Sequence, residues 1–193
     1  MTNRLQPTPS QTVGPFFAFG LTARQYGYDF DQIAGERIKR EGMNGTPIRI
    51  VGQIFDGAGA PVSDALVEVW QADASGAYPD TSAFADPTAF HGFGRSGTGS
   101  RKDGRFAFAT IKPGGHDGEA PHLNVILTMR GLLLHVFTRI YFSDEEDANA
   151  ADPVLALVPE QRRRTLIANR VGEGSYRFDI RMQGDEETVF FDV

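Results

Sequence analysis

Cysteine is absent from this 193-residue chain, histidine occurs only four times and tryptophan once. Without cysteine there is no disulfide, no cysteine zinc site, no iron–sulfur cluster and no thiol nucleophile. A histidine-based metal site has only His91, His116, His122 and His135 to draw on. No apolar run approaches the roughly 18 residues of a membrane span. The opening Met1-Thr2-Asn3-Arg4-Leu5 lacks the apolar core of a signal peptide. A cytoplasmic protein without a membrane partner is the expectation. Basic residues are also outnumbered. The net charge is -6 and the pI about 5.2, which argues against a partner with a phosphate backbone, so no nucleic acid is expected. The run Arg162-Arg163-Arg164 is short, follows Glu160 closely and reads as a solvated helix face.

What is present divides in two. The length suits one domain, or one domain with an arm. Pro7-Thr8-Pro9-Ser10-Gln11-Thr12-Val13-Gly14-Pro15 is too rich in proline for a regular helix or a central strand. Phe16, Phe17 and Phe19 follow at once. Aromatics in so irregular a stretch call for burial, against this chain's own domain or against another chain. Residues 20–45 have no clean period and read as loop with one short helical stretch. Residues 1–45 are therefore expected to form an N-terminal arm and partner-contacting segment, and residues 46–193 the domain.

From Pro47 the pattern turns to β. Ile48, Ile50, Gly52 and Ile54 alternate with Arg49, Val51, Gln53 and Phe55, the period of a half-buried strand. Further strands are expected over Ala65–Trp70, Arg105–Thr110, His122–Met129, Leu132–Phe142 and Tyr176–Met182. Thr188–Val193 should pair with the last of these around Gly184-Asp185. Asp56-Gly57-Ala58-Gly59 and Asp103-Gly104 are turn signals. Asp152 is placed to cap a helix, with Pro153 at its first position. Pro159 then starts a helix predicted to run through Ala168. Short strands, frequent turns and one or two short helices specify a mainly β fold, a β-sandwich of mixed strands.

Three blocks carry the chemistry: Trp70-Gln71-Ala72-Asp73-Ala74-Ser75-Gly76-Ala77-Tyr78, Ile111-Lys112-Pro113-Gly114-Gly115-His116, and Pro121-His122-Leu123-Asn124-Val125. Together with the arm's Thr8–Pro15 and the terminal Tyr176–Arg181 and Glu187–Asp192, they resemble the intradiol ring-cleaving dioxygenases. The resemblance spans nearly the whole chain. In that family's iron-binding chains, two tyrosines and two histidines hold ferric iron. Phenolate is a hard anionic donor suited to Fe(III), and a His-x-His pair on a strand points both rings to one face.

By that resemblance, Tyr78 falls at the first tyrosine position, His116 at the second, His122 at the first histidine and Asn124 at the second. Two of the four ligands are changed. A neutral amide replaces an imidazole, and an imidazole replaces a phenolate. The resemblance therefore implies vestigial metal positions, with no metal bound by this chain and no catalytic residue in it. It places Fe(III) in a homologous iron-bearing β chain, within a higher-order hetero-oligomer that takes protocatechuate and O2. It further implies that Thr12, Gly14 and Pro15 of the arm, and Arg130, help line the partner's substrate pocket. Arginine offers charge and forked donors to an aromatic carboxylate. Two other readings remain at this point. One is a self-sufficient dioxygenase with an altered metal site, and the other a non-catalytic β-sandwich binding module. His91 and His135 lie in no motif, and His135 is expected within a strand.

Overall fold

A computed structural model describes residues 7–30, 32–39, 42–80, 82–83, 86, 89–99 and 101–192. The strands are β1 (Pro47–Phe55), β2 (Leu66–Gln71), β3 (Phe93–Gly97), β4 (Arg105–Ile111), β5 (His122–Thr128), β6 (Val136–Phe142), β7 (Ile167–Gly172), β8 (Ser175–Arg177) and β9 (Ile180–Arg181). Three short helices, α1 (Glu146–Ala151), α2 (Pro153–Leu157) and α3 (Glu160–Arg163), lie between β6 and β7. Strand order is β3-β2-β5-β6-β7-β8-β1-β4, with β9 added beside β1. Most pairs are antiparallel, while β1/β8, β1/β9 and β6/β7 are parallel. The mainly β, mixed-strand architecture expected from the sequence is the one observed.

Alternation explains how two layers share one core. β1 buries Ile48, Ile50 and Ile54 and turns Arg49, Val51 and Gln53 outward. These isoleucines, with Phe106 and Phe108 of β4, meet Val67 and Val69 of β2, Leu123, Val125 and Leu127 of β5, and Ile140 and Phe142 of β6. Each such side chain, fully buried, contributes about 1.5–3 kcal/mol. A smaller cluster of Ala120, Tyr141, Leu155, Val158 and Leu166 seats the helices against the other face of β6. Asp152 caps α2 as expected, accepting from the amides of Val154 and Leu155, with Pro153 beginning the helix.

Several boundaries differ from the sequence expectation. β6 starts at Val136, because β5 ends at Thr128 and the register pairs Leu127 with Val136. Leu132–His135 therefore have no ladder to join, and His135 is an exposed loop residue. The expected Tyr176–Met182 strand is broken into β8 and β9. At the break the Gln53 amide donates to the Asp179 side chain, 3.1 Å away, in place of a backbone carbonyl. Thr188 meets Arg181, but beyond it only an isolated bridge of Phe191 to Phe137 of β6 is present among the described residues. Val193 lies outside them. The helix expected from Pro159 to Ala168 is α3 continued by a 3-10 turn over Arg164–Leu166, and it stops at Leu166. Ile167 and Ala168 pair instead with Tyr141 and Phe142 as the start of β7. That pairing buries Ala168 and overrides local helix preference.

The arm is anchored at intervals. Ala18, Ala23, Ala34 and Ile38 are buried, a 3-10 turn covers Ala23–Tyr26, and Arg37 bridges to Ala109 of β4. Glu36 accepts from Ser96 and, through both oxygens, from Arg101. The aromatics the sequence sends toward burial behave unequally. Phe17 and Phe19 are half-buried, but Phe16 is 71% exposed. Residues 1–6 lie outside the described part.

Candidate functional site

Tyr78, His116, His122 and Asn124 come from three separate segments and converge at one end of β5. His122 and Asn124 sit two residues apart on that strand, so both side chains leave the same face. Asn124 lies opposite Trp70 of β2 on one side and Arg139 of β6 on the other. Tyr78 is delivered by a tight turn after β2. There Asp73 accepts from the Ser75 and Ala77 amides. Gly76 takes φ of +89°, and a Cβ on it would meet the Gly115 carbonyl at 2.0 Å. Only glycine fits that position. Partial burial raises the Asp73 carboxyl, but its bonds to Ser75 and Ala77 outweigh this and hold it below the usual range.

The contacts within the group are direct. Asn124 Nδ2 donates to Tyr78 Oη at 2.9 Å, and Tyr78 Oη lies 3.3 Å from His122 Nε2. His122 Nδ1 is 2.8 Å from the Ala120 carbonyl. A carbonyl only accepts, so Nδ1 carries the proton and Nε2 presents a lone pair. Tyr78 then donates to His122 while accepting from Asn124. His116 packs edge-on to the Tyr78 ring at 5.0 Å, and its Nδ1 meets the Gly76 carbonyl at 2.8 Å. Trp70 stacks on the far side of Tyr78, 6.1 Å between centroids.

Burial sets the protonation of the pair. It pushes the Tyr78 phenol up, against the bond from Asn124 and the charge of Arg139, which pull it down. It pushes the His122 imidazole down, with Arg139 acting in the same sense and Ala120, Glu119 and Asp152 opposing. Both groups are neutral near pH 7, so the hydrogen bond between them is satisfied without a net charge.

A second layer was not legible as a site in the sequence. Glu119 Oε2 stands 3.5 Å from His122 Nε2 and 2.9 Å from Arg139 Nη1. Arg139 also donates to Tyr141 Oη at 3.1 Å. The Tyr141 hydroxyl, driven up chiefly by burial, reaches Asp152 at 3.3 Å. Asp152 is 1% exposed and accepts as well from the Ala120 amide at 2.8 Å. The Asn124↔Arg139 and His122↔Tyr141 register would have disclosed the two β6 members once the β5–β6 pairing was set out residue by residue.

Thr12 and Arg130 meet at the opposite end of β5. His122 to Thr128 is six steps of strand, roughly 20 Å at about 3.3 Å per residue, so this second cluster is remote from Tyr78. Thr12 Oγ1 accepts from the Gly131 amide at 2.8 Å, which fixes the arm to the β5–β6 loop. Gly131 holds φ of +91° there. Arg130 is paired through Nε with Asp64 and its side chain is 55% exposed. Gly14 and Pro15 are exposed. The Gly14 carbonyl accepts from Phe17, and a Cβ on Gly14 would meet nothing within 4 Å.

A family model described as dioxygenase matches residues 28–126, which contain all four members of the Tyr78 group. The chain is 51% identical to the protocatechuate 3,4-dioxygenase alpha chain of Burkholderia cepacia, over 98% of both chains. This chain belongs to the intradiol ring-cleavage dioxygenase family. It is also 34% identical to the protocatechuate 3,4-dioxygenase beta chain of the same organism, over 83% of this chain and 76% of that one. Among solved structures, the dioxygenase domain of a dioxygenase carbohydrate-binding protein fusion from Streptomyces sp. SirexAA-E matches with a TM-score of 0.61. That match has 27% identity and covers 95% of this chain and all of that one. Within this intradiol dioxygenase chain, the Tyr78 group lies at the His122 end of β5, and the Thr12–Arg130 group lies apart from it.

Proposed function

We propose that this chain is the iron-free subunit of a two-chain protocatechuate 3,4-dioxygenase. In this reading it joins a homologous iron-bearing chain in a higher-order hetero-oligomer and lends residues to that chain's substrate pocket. The observation that carries the reading is the closed contact among Tyr78, His122 and Asn124.

The donor set does not fit ferric iron. It offers one phenol, one amide and two imidazoles. Asn124 presents its NH2 to Tyr78, and the Nδ1 of His116 faces a carbonyl. Ferric iron favours anionic oxygen donors, and the single phenol here is held in its protonated form. A neutral, mutually hydrogen-bonded set supports a structural role for Tyr78, His116, His122 and Asn124, as vestiges of ligand positions. No step of the chemistry is assigned to them.

The substrate-facing role falls to the arm and the β5–β6 loop, with residues 1–45 as the partner-contacting segment and residues 46–193 as the sandwich domain. Asp64 fixes the Nε of Arg130, whose side chain is 55% exposed, and among the described residues its Nη groups have no partner, so the guanidinium can take a carboxylate in a forked bond. Thr12 ties the arm to the same loop, and Gly14 and Pro15, two and three residues further along the arm, are exposed, which supports their reaching the same pocket. Among the described residues a Cβ on Gly14 would meet nothing within 4 Å, which leaves that backbone open to close approach by a partner. The iron of the partner chain would supply chelation of the two ring hydroxyls and activation toward O2. The overall change is insertion of both oxygen atoms between the hydroxylated carbons of protocatechuate, giving 3-carboxy-cis,cis-muconate, a step of the bacterial β-ketoadipate route. The setting is the cytoplasm. Among the described residues no helix is long and apolar enough to cross a membrane, which is compatible with that setting.

The experiment is expression of this chain with and without an iron-bearing partner, followed by assay of protocatechuate loss and oxygen uptake. The chain alone is expected to be colourless and inactive, and the pair to be coloured by tyrosinate-to-iron charge transfer and active. Iron-dependent turnover by the chain alone would overturn the proposal.

A further inference from the structure

A concavity on the outer face of β1, β4 and β8 is lined by none of the Tyr78 group. It encloses about 550 Å3, within the range of roughly 300–1,000 Å3 typical of small-molecule sites. The same alternation that buries Ile48 and Ile50 turns Arg49 and Val51 onto this face. Ala107 of β4 lies opposite Val51 and Arg105 opposite Gln53, while Arg177 of β8 lies beside Val51 and Ser175 beside Arg49. Small side chains thus form a floor, and arginines stand around it.

The state of each guanidinium differs. Arg101, which also lines the concavity, is taken by both oxygens of Glu36. Arg105 and Arg177 each rest one edge on a carboxylate, at 3.3 Å from Asp103 and 2.9 Å from Asp179. Arg49 has no carboxylate partner among the described residues. Four cations against three carboxylates leave an excess positive charge, on a chain whose net charge is -6. Forked, partly unsatisfied guanidinium groups over a shallow apolar floor suit a planar or tetrahedral anion. They do not suit an uncharged or cationic ligand.

We propose that this arginine-rimmed concavity binds a small multivalent anion bearing carboxylate or phosphate groups, with Arg49 and Arg177 as its principal contacts. None of its lining residues belongs to the Tyr78 or Thr12–Arg130 groups, so the site stands independently of the dioxygenase reading.

The test is calorimetric titration of the full chain with citrate and, separately, with inorganic phosphate, in about 0.15 M NaCl so that weak general screening is suppressed. Saturable one-to-one binding of either probe is expected, and which probe binds distinguishes carboxylate from phosphate. Arg49→Gln and Arg177→Gln should each raise the Kd about tenfold, with circular dichroism confirming the fold. Arg163→Gln on α3, outside the concavity, should leave the Kd unchanged. The proposal is overturned if neither probe saturates, or if Arg49→Gln binds as tightly as the parent chain. It is equally overturned if binding to the lone chain disappears once the chain is assembled with its partner, since the face would then be an interface.

Discussion

The two ends of β5 spend their polar groups differently. At the His122 end, hydroxyl, imidazole, amide, guanidinium and carboxylate groups are consumed by one another, from Asn124 and Tyr78 through His122 to Glu119, Arg139, Tyr141 and Asp152. At the Arg130 end, among the described residues, one hydroxyl–amide bond holds the arm to the loop and one ion pair joins Arg130, 55% exposed, to Asp64. A closed network stabilises the fold, and an open one is available to a ligand. In the proposed reading, ligand ancestry and present function separate along this single strand.

The sharpest way to break this comparison is to remove the base of the closed network. Asp152→Ala deletes the acceptor for Ala120, Val154, Leu155 and Tyr141. It should lower unfolding free energy by about 3 kcal/mol, since buried donors are left unsatisfied and a helix cap is lost. Asp64→Ala, which frees Arg130 at the open end, should cost under about 1 kcal/mol because that pair is exposed. Urea unfolding of the two variants makes the contrast quantitative. Equal losses would show that both ends are structural.

Next in size is the functional counterpart. In the assembled complex, Arg130→Ala should raise the KM for protocatechuate about tenfold or more, the scale of a lost charged hydrogen bond of roughly 1.5–3 kcal/mol. Iron content should not change. Steady-state kinetics with metal analysis decide this, and an unaltered KM would remove Arg130 from the pocket. Tyr78→Phe should do the reverse. Losing its bonds to Asn124 and His122 should cost about 1 kcal/mol of stability, while kcat and KM of the complex stay as they were. A fall in kcat would return the Tyr78 group to the chemistry.

How much of this was legible beforehand follows from what each signal depends on. Local period placed β1, β2, β4 and β5 nearly to the residue, because one buried face imposes alternation. The Asp152-Pro153 cap was legible because capping is local chemistry. β3, with Gly94 and Gly97 among its five residues, carries no such period and is held by pairing with β2. Ile167 and Ala168, which open β7, fell in a predicted helix because their strand identity comes from Tyr141 and Phe142 across the sheet. The convergence of Tyr78, His122 and Asn124 could be placed by resemblance, but their mutual hydrogen bonds could not. In the Glu119–Arg139–Tyr141–Asp152 layer, Arg139 and Tyr141 depend on cross-strand register, and Glu119 and Asp152 on tertiary placement outside the strands.

The smallest effect concerns pH, and its sign follows from burial. His122 is 3% exposed, and desolvation holds its imidazole below the ordinary histidine value of 6.5. The unfolded chain therefore takes up a proton at a pH where the folded chain does not. Stability from this group is complete above about pH 6.5 and is lost as pH falls toward the lower folded value. Glu119 and Asp152 favour the charged ring and Arg139 opposes it, so the loss is moderated rather than abolished. Urea midpoints measured from pH 7.5 down to 5.5 should decline, and His122→Gln should flatten that decline. The profile should be the same with and without a chelator, because the lone pair of Nε2 is engaged by Tyr78. A chelator-sensitive profile would show instead that the closed end of β5 still takes an ion.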